Sequence, residues 1–217
     1  MITFCHMLCR SGSEPAGRTE YPPERRDRSR NFHSRQSERG LGTVRNLQPL
    51  RLSGQERLFV LSARGFSFRT DSWARTIVDF YRATPGAGVI GFFGYALKTR
   101  SPSLMGGLSR YERASLYQHI GERVVRLESR AGEVDFSPVV QVDGQCLIVP
   151  KAVWREHPFD EELFRDFHLY DIDFCVRIAR RYTNYVCHSV FGEHESVGSY
   201  DDSWYRNIML FQRKWDG

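Results

Sequence analysis

The chain is predicted to be an α/β protein: a mixed sheet flanked by helices, behind an irregular Arg-rich start. Three observations predict it. Short continuous apolar runs bounded by turn residues, such as Leu58-Phe59-Val60-Leu61 and Cys146-Leu147-Ile148-Val149, read as buried strands. Between them lie stretches with helical apolar spacing, so strands and helices alternate along the chain. Ser11 to Gln55, rich in Arg, Ser, Gly, Pro and Glu, shows neither period. The expected division is 1–57, disordered or irregular, and 58–217, one α/β domain.

In order, 58–61 is a strand. Asp71 or Ser72 caps a helix whose apolar face is Trp73, Ile77, Val78, Phe80 and Tyr81. Thr84-Pro85-Gly86-Ala87-Gly88 stops it, and 89–93 is a buried strand whose glycines permit close backbone approach. Residues 99–125 read as loop, 133–142 and 146–149 as strands, and a short helix starts at Lys151. Leu163 to Phe167 is a turn or short helix. A helix follows from Tyr170 to Arg181, then a strand over 185–190 and a closing helix from Ser203 to Trp215. No internal repeat is visible.

The net charge of +5 resides in the start: up to Arg57, Arg outnumbers acids by the whole of that excess, and the remainder is close to neutral. No aromatic platforms interleave those arginines, so a solvated tail is the favoured reading and nucleic acid is not an expected partner. The five scattered cysteines suit reduced thiols in a cytoplasmic protein. Cys5, His6 and Cys9 could suggest a metal, but a chance cluster is favoured. No run is long and apolar enough for a membrane span, and no signal peptide is read at the start.

The chemistry-bearing residues lie in the second half. Asp171 and Asp173 stand two apart at a helix start, where a carboxylate satisfies free backbone N–H groups or points into a cleft at strand ends. By themselves they read as capping residues. Their surroundings add Asp143-Gly144 before an apolar strand, Phe159-Asp160-Glu161, and Phe167-His168-Leu169-Tyr170-Asp171-Ile172-Asp173 with Cys175 and Arg177. Gly88-Val89-Ile90-Gly91-Phe92-Phe93-Gly94, His194-x-Ser196 and Phe211 to Trp215 complete the set.

This set resembles the second half of family 2 glycosyltransferases of the GT-A fold. It is similar to the bacterial glycosyltransferase-like subgroup that carries Phe-His-x-Tyr-Asp-x-Asp where Gly-Glu-Asp-x-Asp is commoner. The resemblance runs from about Asp71 to Trp215. It implies an inverting transfer of a sugar from a nucleotide-sugar donor to a hydroxyl on a glycan or glycolipid, in polysaccharide or glycoconjugate assembly. Asp171 matches the catalytic base, and Asp173 its neighbour, ordering the helix start. Asp143 and Gly144 match the acceptor-side floor. Substrate contacts are expected from His168, Tyr170 and Trp204, although orientation or packing explains His168 equally and helix packing is favoured for Trp204. His194 matches the position that holds the metal or diphosphate, with a satisfied histidine as the even alternative. A divalent cation, Mn or Mg, is expected. The location is cytoplasmic, with peripheral attachment at the inner membrane face left open. A non-catalytic relative that keeps the acceptor-side fold is the second reading.

The chain departs from the family upstream. The resemblance implies a nucleotide-binding half of βαβ units, ending in Asp-x-Asp or His-x-Asp after a buried strand. Here the strand at 58–61 is followed by Ser62-Ala63-Arg64-Gly65, with no carboxylate. Codons exist for Arg57 to Phe68 whose reading one nucleotide later gives Gly-Tyr-Leu-Phe-Cys-Gln-His-Glu-Asp-Phe-Arg-Phe. The dominance of Arg over Lys fits a GC-rich gene, in which an off-frame stretch reads as Arg, Ser and Pro. The expectation is therefore a shifted frame up to about Arg69, with the chain inactive as translated; the DNA of codons 57 to 70 decides it.

Overall fold

The computed structural model describes residues 57–98, 109–195 and 200–216, together with the strand at 2–7. Its twelve strands, numbered in chain order among these residues, form two mixed sheets flanked by four α-helices. The sequence suggested one sheet.

The first sheet runs β1 (Ile2–Met7), β2 (Leu58–Ala63), β10 (Cys146–Pro150), β4 (Ala87–Gly91), β11 (Thr183–Cys187), β8 (Phe136–Val139). β10 is antiparallel to both neighbours, whereas β1–β2 and β4–β11 are parallel. β1 lies inside the segment expected to be irregular, and 8–56 falls outside the described residues. The continuous apolar runs are explained by burial on both faces. Alternate side chains serve opposite layers. Val60, Ile90 and Ile148 meet Ile77 and Val78 of α1 (Trp73–Ala83). Leu61, Val89, Leu147 and Val149 meet Val153 of α2 (Lys151–Glu156) and Phe174, Cys175 and Ile178 of α3 (Tyr170–Ile178). The start of α1 falls where expected, but Ser72 gives no side-chain cap.

The second sheet contains β3 (Phe66–Phe68), β12 (Gly192–His194), β6 (Glu112–Ile120), β5 (Phe93–Tyr95) and β9 (Gln141–Val142), with β7 (Arg123–Ser129) paired to β6. Residues 112–125, expected to be loop, are most of a β6–β7 hairpin. Its strands pair from Ala114↔Ser129 to Ile120↔Arg123, turning at Gly121 with φ of 59°. The hairpin's ladder, and not an apolar run, defines these strands: almost every side chain of β7 is at least partly exposed. Residues 99–108 lie outside the described set.

The closing helix α4 (Asp202–Trp215) is capped by Asp201, whose carboxylate accepts from the N–H groups of Ser203 and Trp204 at 2.9 and 3.3 Å. Its Ile208 and Phe211 pack on Tyr170, Ile172 and Val176 of α3. A polar staple completes the first sheet. Asn184 is fully buried; its Oδ1 accepts from Val89 N (3.0 Å), and its amide donates to the carbonyls of Val140 and Cys175 (both 2.9 Å). The thiols of Cys146, Cys175 and Cys187 are free and buried. No helix among the described residues is long and apolar enough to cross a membrane.

Candidate functional site

Leu169, just before α3, is the only non-glycine among the described residues with a left-handed backbone, φ 64°. Such a conformation costs on the order of 1–3 kcal/mol and persists where the surroundings hold it. Here Leu169 is buried in the α3–α4 cluster. The bend leads directly into Tyr170 and Asp171, placing them over the loop that follows β9.

Gly144 in that loop donates its N–H to Asp171 Oδ2 at 2.6 Å, and Gln145 donates its N–H to Asp143 Oδ1 at 2.9 Å. A Cβ at position 144 would lie 2.7 Å from the Tyr170 hydroxyl and 2.9 Å from Asp171 Oδ2, closer than real Cβ contacts come. Only glycine lets the loop floor approach this closely. Asp143, Gly144, Tyr170 and Asp171, 27 residues apart between Gly144 and Asp171, therefore share one site.

The pair is electrostatically tuned. Burial pushes Asp143 well above the ordinary carboxylate range, and the Asp171 charge pushes it further. Burial also raises Asp171, but N–H groups of Gly144 and of the helix start hold it lower. Of the two, Asp171 is the one that keeps its negative charge near neutrality. Two neighbouring carboxylates driven apart in this way suit a base beside a proton-sharing partner.

The native state thus holds a proton on Asp143 more tightly than the unfolded chain does. Between the ordinary carboxylate value and the raised one, stability falls as pH rises. Asp143→Asn is expected to raise the melting temperature at pH 8 by several degrees, about 1–2 kcal/mol for this partly buried group. The gain should vanish near pH 4, where wild type also carries the proton. A lower melting temperature for the variant at pH 8, by calorimetry, would contradict the repulsion.

Asp173 has a different environment. It is fully buried, and its carboxylate accepts from Arg177 Nε (3.0 Å), Trp215 Nε1 (2.9 Å) and Lys214 Nζ, which reaches both oxygens at 2.8 and 3.0 Å. These bonds join α3 to α4 and engage both carboxylate oxygens, whereas the sequence placed Asp173 beside the catalytic base at the helix start.

His168 is largely buried. Its carbonyl accepts from Asn207 Nδ2 (2.8 Å), and its ring lies 3.6 Å from Asp201. Trp204 sits partly buried at the edge of the α3–α4 cluster, edge-on to Tyr200 and Tyr205. His194 lies on β12, its ring 3.2 Å from Gln118 Oε1; burial and the neighbouring His119 push it down to about 4, so it is neutral. Its partner is Gln118, and neither aspartate. The connection between the two regions is the β2–β3 turn. Ala63 N–H donates to the Gln145 carbonyl (2.9 Å), and Glu195 N–H donates to the Gly65 carbonyl (3.0 Å). Arg64 and Gly65 are thus flanked by the acidic loop on one side and the end of β12 on the other.

That turn is where the resemblance implies a metal. Arg64 is an exposed cation, and Gly65, at φ 78°, has no side chain. Among the described residues no group of three or more His, Cys, Asp or Glu is placed to hold a metal ion. The residues present do not fit a divalent cation there.

Two groups carried no sequence signal. Gln145 is buried beside Asp143, and its Oε1 has no partner. Tyr200, just before α4, is half exposed and stands edge-on to Trp204; burial and the Asp143 charge raise its hydroxyl.

The site thus pairs an acid of the β9–β10 loop with one in the first turn of α3, within a mixed α/β fold. The chain belongs to the glycosyltransferase like family, which matches residues 64–205. No curated protein matches it. Among solved structures, the crystal structure of A197 from STIV aligns at 12% identity with a TM-score of 0.35, covering 67% of this chain and 59% of that one. The chain therefore spans less than two thirds of that protein's length.

Proposed function

We propose that the chain is the acceptor-side part of an inverting glycosyltransferase, moving a sugar from a nucleotide-sugar donor to a hydroxyl acceptor in polysaccharide or glycoconjugate assembly. The observation that carries this reading is the Asp143–Asp171 pair on the Gly144 floor. In this reading Asp171 takes the proton of the acceptor hydroxyl as that oxygen attacks the sugar's anomeric carbon and the bond to the nucleoside diphosphate breaks. Its raised proton affinity brings it nearer to working pH, where a general base acts best. Asp143, more readily protonated, donates to or shares a proton with the bound hydroxyls. Tyr170 and Gly144 shape the floor, and Asp173 holds α3 in place.

One observation favours a second reading, a non-catalytic binding or partner module: Arg64 and Gly65 bring no carboxylate to the β2–β3 turn. The shifted-frame hypothesis reconciles the two, because it supplies His and Asp at 63 and 65. In that case the divalent metal belongs to the frame-corrected protein. Asp is among the residues that tolerate a left-handed backbone. At 65 its Cβ would lie 3.1 Å from Glu195, an exposed side chain able to move aside.

The test is thermal stabilisation by a panel of nucleoside diphosphates and nucleotide sugars, with and without Mn²⁺. The chain as it stands should gain little from the metal. The double variant Ala63→His/Gly65→Asp should gain several degrees at a hundredfold excess over Kd, corresponding to about 2.7 kcal/mol. No stabilisation of either protein would leave the binding-module reading in its place.

A further inference from the structure

An exposed aromatic surface lies beside the acid pair. Tyr200 is 52% exposed and Tyr205 62% exposed, and both contact Trp204 edge-on with ring centroids 5.0 Å apart. Phe167, 37% exposed, stands on the segment leading into α3, 5.1 Å from the His168 ring and 6.2 Å from that of Tyr170. The two parts are held together. Asp201, next to Tyr200, approaches His168 at 3.6 Å, and Asn207 of α4 donates to the His168 carbonyl. The first turn of α4 is thereby fixed against the residues that carry Asp171.

We propose that Tyr200, with Tyr205 and Phe167, forms an acceptor ledge on which the apolar face of a neutral pyranose stacks, so that a hydroxyl of that sugar chain reaches Asp171. That a hydroxyl reaches Asp171 rests on the transferase reading; the ledge itself is a saccharide-binding surface.

Burying these rings when the molecule stands alone would need a partner that matches both their faces and their surroundings. The surroundings are acidic: Glu162, Asp166, Asp201 and Asp202 outnumber Arg165 and Arg206, and Arg206 is drawn to Asp166 at 3.5 Å. An anionic membrane surface or a phosphorylated acceptor would be repelled. A neutral sugar offers a C–H face for aromatic rings, which carry a negative quadrupole on their faces. Its hydroxyls offer hydrogen bonds to the carboxylates around it. Phe167 lies 6.2 Å from the Tyr170 ring, whose hydroxyl stands over Gly144, so this end of the ledge adjoins the acid pair.

Binding of cellotetraose, maltotetraose and mannotetraose to the full chain, followed by saturation-transfer NMR and Trp fluorescence, tests the ledge. At least one should bind, with ring C–H protons receiving the saturation. Tyr200→Ala should weaken that binding at least about tenfold. Tyr200→Phe should retain most of it, because stacking uses the ring. Tyr200 is half exposed, so its variants should fold, and an unchanged far-UV spectrum verifies this.

Failure of all three sugars to bind overturns the ledge. So does a Tyr200→Ala protein that binds as tightly as wild type, or association with phosphatidylglycerol vesicles in place of the sugars. Nucleotide stabilisation reports separately on the transferase reading. Sugar binding through Tyr200 without any donor binding would keep the ledge and remove the transferase. Donor binding without sugar binding would do the reverse.

Discussion

Asp173→Ala is expected to unfold the chain or to lower its stability by about 3–5 kcal/mol, a large share of the 5–15 kcal/mol typical of a domain. The carboxylate is completely buried and serves as acceptor for Arg177, Lys214 and the Trp215 indole. Removing it leaves two partly buried cations facing each other and a partly buried indole N–H without this acceptor. Lys214 keeps Asp160 at 2.7 Å, and Arg177 keeps the carbonyl of Pro158, so neither is wholly stranded. Lys214→Ala should therefore cost less than Asp173→Ala. Asp173→Asn should fall between wild type and Asp173→Ala, since it still accepts from the indole but lacks the charge. Urea unfolding measures the order. A loss below about 1 kcal/mol for Asp173→Ala would show that the apolar face of α4 and its bonds to His168 and Asp160 hold the helix without this carboxylate.

How much of this was legible depended on the range of the interaction. The buried strands announced themselves as apolar runs, because both faces of the first sheet are covered. The helix at Tyr170 and the floor at Asp143-Gly144 were legible through local motifs. The β6–β7 hairpin was not. Its strands contain Glu112, Arg113, Gln118, His119, Arg123 and Arg126, and the ladder is satisfied by backbone pairing on a largely exposed surface. Sequence placed Asp173 beside Asp171, and spacing could not separate their environments. The difference comes from Lys214 and Trp215, more than forty residues on, which claim one carboxylate and leave the other at the loop. Tyr200 belongs to no motif; only the docking of α4 on the His168 segment brings it near the start of α3. Of the aromatics that the sequence singled out, Tyr170 is buried over the loop and Trp204, for which helix packing was favoured, has its ring partly packed away.

Asp171→Asn is expected to lower sugar transfer by about 10²–10⁴-fold, the range for removing a general base, in whichever reading frame transfer is detected. Nucleotide-sugar binding should be unchanged, because the donor does not depend on this carboxylate. The substitution is conservative in shape. The asparagine Oδ1 can still accept from Gly144 N, so the loop floor should hold, and a far-UV spectrum and melting curve like those of wild type would confirm that the fold is retained. What disappears is the ability to take a proton. Wild-type transfer should rise with pH through the range where Asp171 ionises, which burial has moved above that of an ordinary carboxylate. In Asp171→Asn that limb should be absent from the residual rate. Asp143→Asn separates the partners. Asp143 still carries its proton where Asp171 ionises, so a neutral asparagine there should leave the limb close to its wild-type position without removing it. Single-turnover transfer across pH 5–9 for the three proteins distinguishes these effects. If Asp171→Asn kept a tenth or more of the wild-type rate, or kept the limb, the base would have to be sought elsewhere, and Asp143 would be the residue to examine first.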